Sequence, residues 1–390
     1  MKNCDSHLLQ KLKIDILKTI CEDHDGEPIK LIRKHDNNLK HTGEFSIPSL
    51  GNTKAWRKFK MKDMDSNKLS EALNLIKSCK EIGGILAIHL DHKKVIHQYF
   101  SNLSDLQEIG AIVDQGNVIN FDTSKSNTSL LTSARCQLLS ECLSRLPLAP
   151  EMTYCVSSTF LSAQMEAHES CHKKGVQVGP VVGDDGKKNT DLSFDEFRRK
   201  THEDIRQLDE ERRDEDEDET VMEDRLRILT EASIRFSLLG TDITKPVKVQ
   251  INNQSASFVL YNLARMKQLM RTFEAGVLRG DYPGLPSDVS DINLDFLSEP
   301  EEWELMFNFV LLYPDILREC AQSLSLHKLV SLLCNFASIF SRYFSRVKVL
   351  KDPLPHLIPS VHAKVFFVKH LIDITIKLLR ILNIDYVSKM

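Results

Sequence analysis

The sequence predicts an α+β protein with a small N-terminal α/β domain, a reduced mixed middle region, an acidic connector and an all-α C-terminal helical bundle. The chain has 390 residues, which is long enough for two or three domains with separate cores. Helical and strand patterns alternate over residues 1–100, whereas residues from about 228 onward are helical in pattern. We expect domain boundaries at 1–100, 101–191, 192–228 and 229–390.

Charge is distributed unevenly along the chain, although the net charge is only −4. Residues 1–100 carry 18 Lys/Arg against 13 Asp/Glu, residues 101–224 carry 13 against 26, and residues 305–390 carry 11 against 5. Basic ends on an acidic middle favour a polyanionic partner. Nine cysteines without a CxxC pair indicate a reducing compartment, so we expect a cytoplasmic protein. The first residues do not resemble a secretory signal, and no stretch reaches the roughly 18 apolar residues of a membrane span.

The N-terminal 100 residues contain three elements that define the small α/β domain. The stretch "SHLLQKLKIDILKTI" predicts an amphipathic helix with Ser6 as a candidate N-cap. The stretch "KLSEALNLIKSC" predicts a second helix, and "GGILAIHL" predicts a buried strand.

Basic and aromatic residues alternate in "KAWRKFKMK", residues 54–62. This pattern is typical of phosphate contacts combined with base stacking, which would use Arg57, Lys58 and Lys60 with Trp56 and Phe59. A solvated loop anchored by its two aromatic residues explains the same pattern equally well.

The middle region contains the helical pattern "LLTSARCQLLSECLSRL" and a strand, a turn at Asp185-Gly186 and a return in "GVQVGPVVGDDGKKN". Its glycines form neither GxxxxGK[ST] nor GxGxxG, so no phosphate-binding loop and no cofactor are predicted. "HESCH", residues 168–172, offers soft ligands without a second cluster, so we expect no metal site. Residues 208–224 carry eleven acids and two bases, which predicts a solvated connector, either helical or disordered.

The C-terminal region predicts helices at 229–239, 257–275, 300–320, 325–345 and 360–383. Polar residues of the last helix share one arc, and nearly all its other residues are apolar, which predicts a helix packed in a bundle with one basic strip in water. From this strip we expect phosphate contacts by Lys369, Lys377 and Arg380.

The helix "SFVLYNLARMKQLMRTFE", residues 257–274, carries two distinct faces. One face is an ordinary core stripe, formed by Val259, Leu263, Met266, Met270 and Phe273. A second face combines aromatic and hydrogen-bonding residues: Phe258, Tyr261, Arg265 and Gln268. Such residues suit unstacked single-stranded bases. The alternative is that this face packs on a neighbouring helix and that Arg265 pairs with an acid.

Several C-terminal segments resemble the DALR anticodon-binding domain of arginyl-tRNA synthetases. "EASIRFSLLG" resembles that family's Ala-Leu-Arg-Phe segment, and "FVLYNLARM" resembles its Tyr-x-x-Tyr-Ala-x-x-Arg helix. "HKLVSLLCNFASIFSRYF" resembles the helix that ends in Phe-Tyr, here swapped to Tyr343-Phe344. The resemblance implies anticodon contacts by Phe258, Tyr261, Arg265, Gln268, Tyr343, Phe344 and the terminal Met390.

The resemblance extends upstream to about residue 175, and only faintly to residues 1–100, which are similar to the tRNA-elbow-binding domain of the synthetases. "VGPVVGDDGKKN" resembles the approach to the KMSKS-equivalent loop, but the following Thr-Arg-x-Gly is missing, and so is His-x-Gly-His. Residues 101–190 are also too few for two mononucleotide-binding halves. Aminoacylation should therefore be lost, since nothing stabilises the charge developing at the ATP α-phosphate.

A synthetase-like chain without a catalytic site resembles the DALR anticodon-binding domain-containing proteins. The resemblance implies an adaptor that binds arginine tRNAs and supports 3-methylcytidine formation in the anticodon loop by a partner methyltransferase, with no membrane or DNA partner. Two alternatives remain open at this point: a minimal arginyl-tRNA synthetase that binds ATP, and a scaffold protein that does not bind RNA.

Overall fold

The computed structural model describes residues 8–22, 31–37, 39–57, 59–60, 62, 65–102, 119–121, 130–146, 148, 153–158, 173–183, 186–187, 192–210, 219–249 and 253–386. The chain forms two compact units. Unit 1 comprises Met1–Leu106 with Pro286–Asp315, and unit 2 comprises Gln107–Leu285 with Ile316–Met390. No helix in the described ranges has the length and apolar character needed to cross a membrane.

The sheet of unit 1 is antiparallel, with the strand order β1-β2-β4-β3. Its strands are β1 (Arg33–Lys34), β2 (Phe45–Pro48), β3 (Ile76–Ile82) and β4 (Ile85–Leu90). Gly83 and Gly84 connect β3 to β4, and both have positive φ, at 58° and 82°. A two-residue hairpin turn of this handedness matches the twist of the strands, and only glycine adopts it without strain. The predicted strand "GGILAIHL" is confirmed as β4.

Five helices of unit 1 precede the middle region: α1 (Leu8–Ile20), α2 (Leu39–Thr42), α3 (Thr53–Trp56), α4 (Ser66–Ala72) and α5 (His92–Ser101). The first predicted helix is confirmed as α1, while its candidate N-cap Ser6 lies outside the described residues. The second predicted helix is wrong beyond Ala72, because the chain turns at Leu73 and enters β3 at Ile76. Pairing with β4 fixes these residues as a strand, and helical periodicity carries no information on such a non-local contact.

The segment 286–315, predicted as part of the C-terminal domain, joins unit 1 by its contacts. A buried carboxylate links this segment to the rest of unit 1. It belongs to Glu44, the residue directly before β2, which is 2% exposed. Its Oε2 accepts the Leu90 amide at 3.0 Å, and its Oε1 accepts Trp303 Nε1 at 3.2 Å. His92 Nε2 lies 2.9 Å from the same Oε1, and the His92 ring stacks on Trp303 at 3.9 Å.

Unit 2 begins with a small α/β region. Strands β5 (Ile119–Phe121), β6 (Thr153–Ser157) and β7 (Lys173–Gln177) form a parallel sheet in that order, and helix α6 (Leu130–Leu143) lies between β5 and β6 in the chain. A separate parallel pair joins β8 (Val181–Val182) to β9 (Val247–Lys248). Gly186 has a φ of 76° at the predicted turn. The described partner of β8 is β9, and the predicted return strand, after the turn in the stretch 175–189, falls mostly on residues 188–189, outside the described residues.

The remaining α-helices, in chain order, are α7 (Phe194–Glu210), α8 (Glu219–Leu239), α9 (Gln254–Arg279), α10 (Pro300–Leu305), α11 (Tyr313–Ser323), α12 (His327–Arg346) and α13 (Ile358–Ile381). The predicted helix 229–239 is the C-terminal half of α8, and the acidic connector consists of α7 and the start of α8, with 211–218 outside the described residues. The predicted helix 300–320 is interrupted, because a π-helical turn at Met306–Val310 follows α10 and Pro314 sits in the first turn of α11.

A buried guanidinium holds the α/β region of unit 2 to the end of α8. Arg135, on α6, is fully buried and donates to five backbone carbonyls: Leu238 at 3.0 Å, Gly179 at 2.7 Å, Lys245 at 2.9 Å, Thr241 at 3.3 Å and Asp242 at 3.1 Å. Burial lowers the pKa of Arg135 to about 10, so the group stays protonated at neutral pH. Gly179 is required here, since a Cβ atom would collide with the carbonyl oxygen of Lys245.

Replacing Arg135 with Met should lower the free energy of unfolding by at least ~3 kcal/mol, because several buried carbonyls lose a charged donor together. Urea denaturation followed by circular dichroism measures the change. Arg199→Met is the matched control, since Arg199 is exposed and pairs with Glu203 one turn away. A loss for Arg135→Met no larger than that of the control would contradict the proposed role.

Glu44 should make the stability of unit 1 depend on pH. Burial acts to raise the pKa of Glu44, but hydrogen bonds from His92 and Leu90 outweigh it and leave the pKa below its usual value. Its stabilisation is thus complete above the unfolded-state pKa, near 4.3, and is lost as pH falls through the folded pKa. Both tryptophans of the chain, Trp56 and Trp303, lie in unit 1, so tryptophan fluorescence monitors this unit.

We expect the urea midpoint of the wild type to fall between about pH 6 and pH 3 more steeply than that of Glu44→Gln. Glu71→Gln, which changes an exposed acid, should keep the wild-type slope. Equal slopes in all three proteins would show that another group is responsible.

Candidate nucleic-acid interface

Helix α9 carries the candidate interface of unit 2. The helix begins after Asn253, whose side chain accepts the Ser255 amide at 3.1 Å, and it ends at Gly280 in the left-handed conformation. The predicted core stripe is confirmed for Val259, Leu263 and Met266, which are 0% exposed. Met270 is only half-buried, and Phe273 is buried.

The second face of α9 lies at the surface. Phe258 and Tyr261 are 38% and 43% exposed, Gln268 is exposed, and Arg265 is half-buried. The Arg265 guanidinium carbon lies 4.9 Å from the Tyr261 ring centroid and 4.4 Å from the Phe344 ring centroid. Within the described part of the chain, Arg265 forms no ion pair with a carboxylate. The guanidinium is therefore fixed by two aromatic rings, and this differs from the alternative of an acid-paired arginine.

The predicted contact residues of α12 occupy different environments. Phe344 is half-buried beside Arg265 and packs on Phe340 at 5.9 Å. Tyr343 is 0% exposed and also packs on Phe340, at 6.0 Å. Consecutive residues of a helix point about 100° apart, so the swapped pair sends Tyr343 inward. We correct the expectation for Tyr343: its ring has no surface on which a base could stack.

The basic strip of α13 is only partly exposed. Lys369 and Arg380 are exposed, whereas burial lowers the pKa of Lys377. Burial, together with the charge of Lys377, lowers the pKa of His370 to about 4, so His370 is neutral at pH 7. Asp373, whose pKa is raised by burial, is the acidic member of the strip. Lys369 and Arg380 are thus the positions most accessible to a phosphate.

The basic loop at residues 54–62 is anchored by its aromatic residues. Trp56 is 2% exposed, and its Nε1 donates to the Ser49 carbonyl at 3.1 Å. Phe59 packs against it edge-on at 6.2 Å. Base stacking on Trp56 is therefore wrong as a prediction, and the anchored-loop alternative fits. Arg57 and Lys60 are exposed, Lys60 pairs with Glu22, and Lys58 lies outside the described residues.

Two residues of this region were absent from the sequence predictions. Lys267 Nζ lies 4.1 Å from the ring centroid of Tyr386, in the tail that follows α13. A cation-aromatic pair joining residues so distant in sequence leaves no local pattern. Met390, which was predicted as a contact, lies outside the described residues. No group of three or more potential metal ligands was found in the described ranges.

Residues 259–390 match the family model of the DALR anticodon binding domain. The "DALR anticodon-binding domain-containing protein 3" of Danio rerio is 30% identical over 188 residues, which cover 43% of this chain and 34% of that protein. The protein of the same name from Rattus norvegicus is 32% identical over 152 residues, covering 35% of this chain and 28% of that protein. The matched stretches thus span about a third of the length of these relatives.

The arginyl-tRNA synthetase of Thermus thermophilus has a similar fold, with a TM-score of 0.59 and 13% identity over 98% of this chain and 100% of that chain. At this identity the likeness concerns the fold alone. The predicted resemblance and the predicted fold class are confirmed by these matches. Residues 259–390 are therefore similar to the DALR anticodon binding domain, in a chain whose fold is similar to that of arginyl-tRNA synthetase.

Proposed function

We propose that this protein binds tRNA and reads unstacked bases of the anticodon loop with the exposed face of α9. The observation that carries the proposal is the position of Arg265 between Tyr261 and Phe344, at the surface of a domain whose family is described as anticodon-binding. Phe258 and Gln268 extend this face, and Met390 is kept as a proposed contact from the family resemblance alone.

The chemistry of the face suits single-stranded bases. Unpaired bases stack on aromatic rings or on a guanidinium plane and present edges that accept and donate hydrogen bonds. Tyr261 offers an exposed ring, Arg265 offers donors, and Gln268 offers both a donor and an acceptor. Because the two rings already restrict the Arg265 side chain, it loses less conformational freedom on binding than a free arginine would.

Basic residues outside this face would contact phosphates without reading sequence. On α13 we propose Lys369, Arg380 and the half-buried Lys377, and in unit 1 we propose Arg57, Lys58 and Lys60. Such contacts release counterions, so the affinity they supply falls steeply with salt.

We further propose that the bound tRNAs are arginine isoacceptors and that the protein is a non-catalytic adaptor. In this role it would support 3-methylcytidine formation in the anticodon loop by a partner methyltransferase. Support comes from the family resemblance, from the names of the curated relatives and from the missing His-x-Gly-His and Thr-Arg-x-Gly motifs. The fold neighbour favours one second candidate, a divergent arginyl-tRNA synthetase. If the protein does not bind tRNA, the remaining interpretation is a scaffold protein that binds no RNA.

Arg265→Ala should weaken binding of the preferred tRNA by about tenfold to a hundredfold and leave non-cognate tRNA nearly unchanged, because a base-reading arginine contributes roughly 1–3 kcal/mol. Filter binding with purified tRNAs measures both constants. The control is Arg199→Ala, which removes an exposed arginine from α7. Equal weakening of every tRNA by Arg265→Ala would show that this face does not read bases.

Lys369→Ala should weaken all tRNAs alike and reduce the slope of log affinity against log salt by about one unit. Lys328→Ala serves as the control, because Lys328 is an exposed lysine of α12 that already pairs with Glu319. An unchanged slope would remove Lys369 from the proposed phosphate contacts.

Because Tyr343 is buried and Phe344 is half-buried, we expect substitution of Tyr343 to affect mainly stability and substitution of Phe344 to affect tRNA binding. Tyr343→Ala should lower the free energy of unfolding by about 3–5 kcal/mol, as expected for truncating a large buried ring. Phe344→Ala should cost less stability and weaken tRNA binding, since it removes one ring beside Arg265. Thermal unfolding and filter binding on both variants provide the test, and the reverse pattern would restore Tyr343 as the contact.

The adaptor proposal predicts no arginine-dependent exchange of pyrophosphate into ATP. The assay uses the purified protein with and without added arginine tRNA, and an active arginyl-tRNA synthetase provides the positive control. Detectable exchange above the background without arginine would favour the synthetase candidate.

A further inference from the structure

The chain turns sharply after α13 and passes back toward α9. Asn383 has a φ of 54°, a left-handed conformation that asparagine tolerates better than most residues. The amides of Asn383 and Ile384 donate to the carbonyls of Arg380 and Leu379, both at 3.0 Å. This capped end of α13 sets the direction of residues 383–386, which we call the C-terminal tail.

Three side chains hold the end of α13 and the tail on neighbouring helices. Arg235 Nη1, on α8, donates to the Leu382 carbonyl at 3.4 Å. Arg227 Nη1, also on α8, lies 3.9 Å from Asp385 Oδ2. Lys267 Nζ, on α9, lies 4.1 Å from the ring centroid of Tyr386. The first contact fixes the helix end, while the other two act on the tail itself.

The contact at Tyr386 is the stronger of the two tail contacts. Arg227 and Asp385 are both well exposed, at 51% and 79% for their side chains, so solvent screens this pair. Lys267 is half-buried, and its pKa is lowered by burial first and by the charge of Arg271 second. A cation over an aromatic ring gains more when it is partly removed from water. Ile384, which is 4% exposed, anchors the first part of the tail, and the contact with Lys267 places the last described residue, Tyr386.

The location of this contact connects it to the proposed interface. Lys267 lies two residues from Arg265 on the same helix, on the opposite side, and a helix with its side chains is only about 10–12 Å wide. The tail therefore lies against the same helix that carries Arg265. A lysine at position 267 also lies one turn from Arg271, and like charges at this spacing disfavour the helix. An apolar side chain would avoid that cost but would lose the cation-aromatic contact.

We infer that Lys267 is a positioning residue, which holds the C-terminal tail on α9 through the Tyr386 ring so that the tail completes the RNA-binding surface. The second part of this inference rests on the proposed tRNA binding, whereas the first part concerns the protein alone. Lys267 acts through Tyr386 and does not itself contact phosphate.

The first experiment tests the positioning without RNA, by amide hydrogen exchange and mass spectrometry of the peptide that contains residues 382–390. Lys267→Met and Tyr386→Ala should speed exchange of this peptide, because each removes one partner of the contact. Lys267→Arg and Tyr386→Phe keep a cation and a ring, and they should retain wild-type exchange. Unchanged exchange in Lys267→Met and Tyr386→Ala would overturn the inference, and circular dichroism checks that each variant is folded.

The second experiment measures tRNA affinity against salt for the same variants. Lys267→Met should weaken binding by at least roughly two- to fivefold, the ratio expected for a cation-aromatic contact that is only partly buried, and should leave the salt slope unchanged. Lys267→Arg should restore the affinity. A slope reduced by about one unit would identify Lys267 as a phosphate contact instead, and unchanged affinity with a loosened tail would also overturn the role in binding.

The two proposals can fail separately. If the wild type binds no tRNA, the proposed function fails and so does the tail's role in binding, while the exchange data still decide whether Lys267 holds the tail. If the wild type binds tRNA and all four variants match it in both measurements, only the positioning inference fails.

Discussion

The architecture of unit 2 depends on the buried guanidinium of Arg135. An arginine on α6 satisfies five carbonyls that come from the approach to β8, the end of α8 and the following turn. Among the described residues, every hydrogen bond of Arg135 goes to a backbone carbonyl, so its charge is offset by backbone dipoles. The carbonyl end of α8 suits a cation because unpaired helix carbonyls carry partial negative charge. One side chain thereby fixes where α8 ends relative to the small sheet, and Gly179 permits the close approach.

Helix α8 is connected to the candidate interface through helix packing. Helix α8 packs against α7, α9 and α12, and α9 packs against α12 and α13. Arg265 and Phe344 lie on different helices, α9 and α12, so their 4.4 Å contact exists only if these two helices keep their packing. A stacking site built on packed helices holds its geometry better than one built on loops. The buried stripe of α9 therefore keeps the residues of its exposed face in a fixed arrangement relative to α12.

The sequence predicted best where structure depends on local periodicity. The two faces of α9 follow from a 3.6-residue repeat, which is why the core stripe and the exposed Phe258 and Tyr261 were both predicted. Tyr343 was misplaced because a swap of one position rotates a side chain by about 100°, and resemblance alone ignores that rotation. The stretch at residues 76–79 was misread as a helix because only its partner strand makes it a strand. The structural roles of Arg135, Glu44 and Lys267 could not be predicted from local sequence patterns, because their partners are distant in the chain.

Two arginines of the same bundle differ in the groups that surround their guanidinium groups. Arg235 is 7% exposed, its Nη2 pairs with Glu141 at 3.1 Å and its Nη1 donates to the Leu382 carbonyl, so its two terminal nitrogens hold α6 and the end of α13. Arg265 lies between two rings that fix its plane, and aromatic faces do not accept hydrogen bonds as a carboxylate does. A carboxylate beside Arg265 would neutralise the charge and occupy its donors, whereas stacking leaves both available. An arginine beside aromatic rings thus keeps its charge and its donors, which is what the proposed contact between Arg265 and a base requires.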